Sequence, residues 1–154
     1  MAFECELSER RSQPAVAVRT RTPQPNLPSI VPPTIGRLAN YIVQCGENPD
    51  GPPYVAYYNM DMQDLDIDIG FPVTKALPAQ GDIQPTKVPS GPCASLIYKG
   101  PYGGIGAAYN SLTEFVKTQK RNVIEPVYEL YLNDPSETPP EELLTQVIFF
   151  LEPA

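Results

Sequence analysis

Twenty prolines in 154 residues constrain this chain more than any other feature, because proline lacks a backbone donor and is poorly tolerated inside helices and central strands. Most of them gather at 23–33, 49–53, 72–92 and 135–140, and the stretches between these clusters carry periodic apolar patterns. Proline placed this way punctuates a folded chain of short elements and does not mark disorder. The length suits one domain, expected to span 1–154, with enough chain to bury a core.

Phe3, Cys5 and Leu7 alternate with Glu4, Glu6 and Ser8, and AVAVRT (15–20) is β-prone, which predicts two strands. Ile35, Leu38, Ala39, Ile42 and Val43 recur at helical spacing between Pro33 and Gly46, predicting an amphipathic helix over about 33–45. PYVAYYN (53–59) and LDIDIGFPV (65–73) read as an antiparallel pair with one wet face bearing Asp66 and Asp68. The order then recurs. Strands at 82–88 and 92–99 precede a helix opened by GPYGGIG, with Ile105, Ala108, Tyr109, Leu112, Phe115 and Val116 on one face, and strands at 127–133 and 144–152 follow. The expectation is a pseudo-duplicated α+β fold in which strand, helix, strand, strand recurs, each copy led by a further strand. Repeat 1 runs over about 3–75 and repeat 2 over about 80–152, alike in the order of elements and not in residue identities. Such units form an antiparallel sheet with two helices and a central groove suited to a small molecule.

Eleven basic residues against eighteen acidic ones leave a net charge of -7, so the basic footprint of a nucleic-acid binder is missing. No run approaches the roughly 20 apolar residues of a membrane span, and MAFECELSERR lacks the apolar stretch of a signal peptide, so a cytoplasmic location is expected. Cys5, Cys45 and Cys93 form no C-x-x-C pair and the chain has no histidine. These facts argue against a disulfide framework, the usual zinc site and any His-dependent nucleophile, and no cofactor is expected. Chemistry must come from carboxylate, Tyr, Lys or backbone groups.

Glu129 is the most informative residue. It shares a strand face with Val127 and Tyr131, among apolar neighbours. On a solvated face it needs no explanation. If it is buried, the carboxylate needs partners, which are scarce nearby in sequence and which a cationic or hydrogen-bonding ligand could supply. Tyr57, Tyr102, Tyr131 and Phe149 belong to an aromatic set that serves either as ordinary core or as a cage whose ring faces attract cations. GPYGGIG (100–106) fails as a phosphate loop, because Tyr109 stands where a third glycine would be needed. Asp64, Asp66 and Asp68 fail as a calcium loop, with Gly70 one residue late and Lys75 at the closing acid.

The segment VYELYLNDPSETPPEELLTQVIFFL (127–151), with YKGPYGGIGAAYNSL and FECELSERRSQPAVAVRTRT upstream, resembles the GyrI-like small-molecule-binding domain. That family includes the effector-binding domains of AraC-type regulators and of BmrR-type multidrug sensors. The resemblance covers nearly the whole chain and is strongest after residue 95. It implies the duplicated antiparallel fold and places Glu129 on the family's acidic pocket residue, which contacts lipophilic cations. Two departures are visible: the given residues include no Trp, which several relatives use in the pocket, and no helix-turn-helix is expected ahead of the domain.

The expected function is therefore a stand-alone module that binds or sequesters lipophilic, often cationic compounds. Glu129 would supply the charge, with Tyr57, Tyr102, Tyr131 and Phe149 as aromatic walls. The first alternative is a hydrolase of strained, cyclopropane-type toxic natural products, as the resemblance allows, using Glu129 and Tyr102. The second is a protein-interaction role, such as inhibiting a topoisomerase or serving a separate DNA-binding subunit as an unidentified partner.

Overall fold

The computed structural model describes residues 3–153. Its strands are β1 (Glu6–Arg10), β2 (Gln13–Thr22), β3 (Tyr54–Tyr57), β4 (Leu65–Pro72), β5 (Ile83–Val88), β6 (Gly91–Lys99), β7 (Val123–Tyr131) and β8 (Leu144–Leu151). Its helices are α1 (Leu27–Gln44) and α2 (Gly106–Thr118). Every described strand pairing is antiparallel, and the fold is α+β as expected. No helix among the described residues is long and apolar enough to cross a membrane.

The chain divides into two units, Arg11–Ser90 and residues 3–10 with 91–153. In the first, strands lie in the order β3-β4-β2-β5 with α1 on β4 and β2; in the second, the order is β7-β8-β6-β1 with α2 on β6. The topologies are the same, with β1 in the place that β5 takes in the other unit. The packing units thus differ from the sequential halves by an exchange of one strand each.

The duplication also reaches residue identities, which element order alone did not suggest. YVAYYN (54–59) and YELYLN (128–133) share Tyr54/Tyr128, Tyr57/Tyr131 and Asn59/Asn133, each pair 74 residues apart. The two asparagines do the same work. Asn59 Nδ2 donates to the Asp64 carbonyl at 3.1 Å while its Oδ1 accepts from the Asp66 amide at 3.0 Å. Asn133 Nδ2 donates to the Glu142 carbonyl at 3.0 Å while its Oδ1 accepts from the Leu144 amide at 3.0 Å. Each side chain satisfies backbone groups where a connection re-enters the sheet.

Three expectations need correction. The helix begins at Leu27, not near residue 33, and contains Pro28, Pro32 and Pro33. All three prolines are exposed, so carbonyls that lose an amide partner can turn to water, and the helix survives on its buried face. That face is Thr34, Leu38, Tyr41 and Ile42, while Val43 is exposed. The strands also tolerate proline, at Pro14, Pro72, Pro85, Pro92 and Pro126.

The third correction concerns the wet face of β4. Asp64 is exposed, but Asp68 is 8% exposed and accepts a hydrogen bond from the Tyr58 hydroxyl at 3.0 Å. Arg19, directly opposite Asp68, lies 3.7 Å from the Tyr58 ring centre and holds Asp66 through two bonds of 2.6 and 2.9 Å. Burial pushes the Asp68 carboxyl above its usual range, against the opposing pull of Tyr58 and Arg19, and burial with the Asp68 charge pushes Tyr58 up to about 12. A carboxyl raised on folding holds its proton more tightly folded than unfolded, so this residue costs stability as pH rises above about 4 and through its folded value. Asp68→Asn keeps an acceptor for Tyr58 and removes that cost. Thermal melts between pH 4 and 8 should show the variant gaining on wild type as pH rises, then levelling. Parallel curves across that range would refute the assignment.

Candidate functional site

β7 pairs with β8 in two stretches, Val123–Ile124 and Tyr128–Tyr131, with an irregularity between them. The second register sets Glu129 opposite Val147 and Tyr131 opposite Thr145. Val127, Val147, Phe149 and Leu151 pack there with Ala94, Leu96 and Tyr98 from β6 and with Ala108, Leu112 and Val116 from α2. Glu129 is thus built into the helix-covered face of its unit and is 7% exposed. The solvated reading of this residue does not hold.

Its partners are phenols. Tyr109, on the first turn of α2, donates to Glu129 Oε2, and Tyr131 donates to Oε1 at 3.0 Å. A carboxylate oxygen accepts hydrogen bonds, and each oxygen here takes a phenol donor. The expectation that internal partners are scarce is corrected: they come from the helix and from the same strand. Tyr109 carried a usable signal, since it lies on the apolar face of α2 that must meet the sheet.

The rings continue outward from the acid. Tyr102 meets Tyr131 edge-on at 5.8 Å between ring centres, and Tyr109 meets Phe149 at 5.9 Å. Tyr102 is 40% exposed, and its hydroxyl is shifted upward by burial and then by the negative charges of Glu129 and Asp134. Phe149 is buried behind Tyr109 in the core. Glu129, Tyr131, Tyr102 and Phe149 are therefore brought together through one another and Tyr109. Tyr57 belongs to the other unit, buried on β3 opposite Ile67, where it takes the position that Tyr131 takes in its own unit.

The turn before α2 supplies Tyr102. Tyr98 OH donates to the Pro101 carbonyl at 2.7 Å, and a Cβ at Gly104 would collide with the Tyr98 hydroxyl oxygen. Glycine at 104 is thus a requirement of close approach, which lets the turn fold down on Tyr98 and carry Tyr102 to the edge of the cluster.

The duplicated antiparallel fold that carries this carboxylate has known relatives. The family description GyrI-like small molecule binding domain matches residues 3–151. The chain belongs to this family. The GyrI-like fold is shared, at 19% identity and a TM-score of 0.84, with the C-terminal domain of EcmrR, each chain covered over its full length. EcmrR in its complex with DNA superposes with a TM-score of 0.87, also at 19% identity, and this chain, covered in full, spans 59% of that protein's length. A hydrolase from Listeria innocua is similar at 14% identity with a TM-score of 0.71, over 98% of this chain and 93% of that one. SAV2435 bound to tetraphenylphosphonium is similar at 11% identity with a TM-score of 0.66, over 97% and 94%. No curated protein matches significantly. At these identities the solved structures speak for the GyrI-like fold and leave ligand chemistry to the residues.

Proposed function

We propose that this GyrI-like domain binds lipophilic, often cationic small molecules beside Glu129, among the rings of Tyr102, Tyr109, Tyr131 and Phe149. The observation that carries this reading is the Tyr109–Glu129–Tyr131 hydrogen-bonded acid set among aromatic rings. A carboxylate attracts a cation directly, ring faces attract it through their quadrupole, and the apolar body of the guest is drawn to the same surface. A relative of the same fold binds tetraphenylphosphonium, a cation of this class, which supports the choice of probe.

A second reading is favoured by the phenol on the carboxylate and by the hydrolase from Listeria innocua. Glu129 would deprotonate a water that attacks a ring carbon, the strained C–C bond would break, and a tyrosine hydroxyl would hydrogen-bond the conjugated carbonyl oxygen that takes up the electron pair. One experiment separates the two. Calorimetric titration with tetraphenylphosphonium should show saturable, one-site binding, and mass spectrometry of a cyclopropane-bearing electrophile after incubation should show it unchanged. Absence of binding to any lipophilic cation would remove the first reading, and turnover above buffer would establish the second.

A further inference from the structure

Thr145 is completely buried, and its hydroxyl is without a hydrogen-bond partner among the described residues. A hydroxyl in such a place is a standing cost, since valine has the same shape and leaves nothing unsatisfied. Val147, two residues along on the same face, shows the apolar solution in use.

The location gives the hydroxyl a use. Thr145 lies directly opposite Tyr98 on β6 and Tyr131 on β7, on the face that carries Glu129. Residues opposite one another in an antiparallel pair have their Cβ atoms about 5 Å apart. Both neighbouring phenols already donate elsewhere, Tyr98 to the Pro101 carbonyl and Tyr131 to Glu129. Tyr131 is covered in turn by Tyr102, the exposed ring of the cluster, which stands on the glycine-rich turn. Behind the Tyr102 ring lies Tyr131, and Thr145 stands opposite Tyr131 on the face of the sheet that carries Glu129.

We propose that Thr145 is a specificity-determining contact, whose hydroxyl pairs with a hydroxyl or carbonyl on the guest once Tyr102 and Tyr131 turn aside. This rests on the binding reading above and sharpens its ligand class: lipophilic cations that also carry one hydrogen-bonding group at the end inserted toward β8. Glu129 would select charge and Thr145 would select polarity at a second point.

The test uses a matched pair of probes, tetraphenylphosphonium and (4-hydroxyphenyl)triphenylphosphonium, titrated against wild type, Thr145→Val, Thr145→Ala and Thr145→Ser. Loss of one neutral hydrogen bond should lower the affinity for the hydroxylated probe, relative to the parent cation, about three- to tenfold in the valine and alanine variants. Serine should restore the preference. If the valine variant melts higher than wild type and binds both probes as wild type does, the hydroxyl is a structural leftover and the proposal is overturned. An equal loss for both probes also overturns it, by assigning Thr145 to packing. Failure of wild type to bind either probe would take down the parent reading, and this one with it.

Discussion

Glu129→Gln is expected to weaken tetraphenylphosphonium binding by about tenfold to a hundredfold, the range for losing one charged contact in a desolvated site. Glutamine has nearly the same volume, so packing against Val147 and α2 is retained. Two things change. The negative charge is removed, and an amide nitrogen now faces a phenol that formerly donated, so Tyr109 or Tyr131 must turn its proton away. The loss should persist at high salt, because a carboxylate 7% exposed is little screened by mobile ions. Calorimetry at low and high ionic strength reads both effects. Equal affinities for wild type and variant would leave Glu129 as an internal strut for the two tyrosines and no more.

Gly70→Ala should destabilise the Arg11–Ser90 unit by about 2–4 kcal/mol, at the upper end of what overpacking costs. Gly70 sits in β4, between Tyr54 on β3 and Ala17 on β2. The Tyr54 ring lies across it, so an added Cβ would stand 2.5 Å from both the ring carbon and the oxygen of the phenol. Tyr54 is 3% exposed and has little room to swing away. Because the strain belongs to the pair, Tyr54→Ala should absorb much of it, and a double-mutant cycle by urea denaturation should be strongly non-additive. Additive losses would place the cost in the β4 backbone instead.

The element order was legible because strand and helix periods differ and the prolines and glycines mark the turns. Both helices and all eight strands could be read from the amino-acid pattern within a few residues, apart from the start of α1, where proline misled. Three prolines in its first two turns look like a connector in sequence, but exposure to water makes them tolerable. Asp68 misled for the opposite reason. Alternation with Ile67 and Ile69 marks a polar face, but whether that face meets water depends on Arg19 from β2 and on Tyr58, which follows the end of β3.

The sequence by itself determined that Glu129 lies on an apolar strand face, that Tyr131 shares this face, and that Tyr109 lies on the core side of its helix. These follow from periods of 2 and 3.6, which are local properties of the backbone. Only the tertiary structure decided that Tyr109 reaches the carboxylate, that Tyr102 closes on Tyr131, and that the buried Thr145 hydroxyl finds no hydrogen-bond partner among the described residues. Those facts depend on strand register and on how the helix lies against its sheet, set by packing among residues far apart in the chain, which local periodicity does not encode.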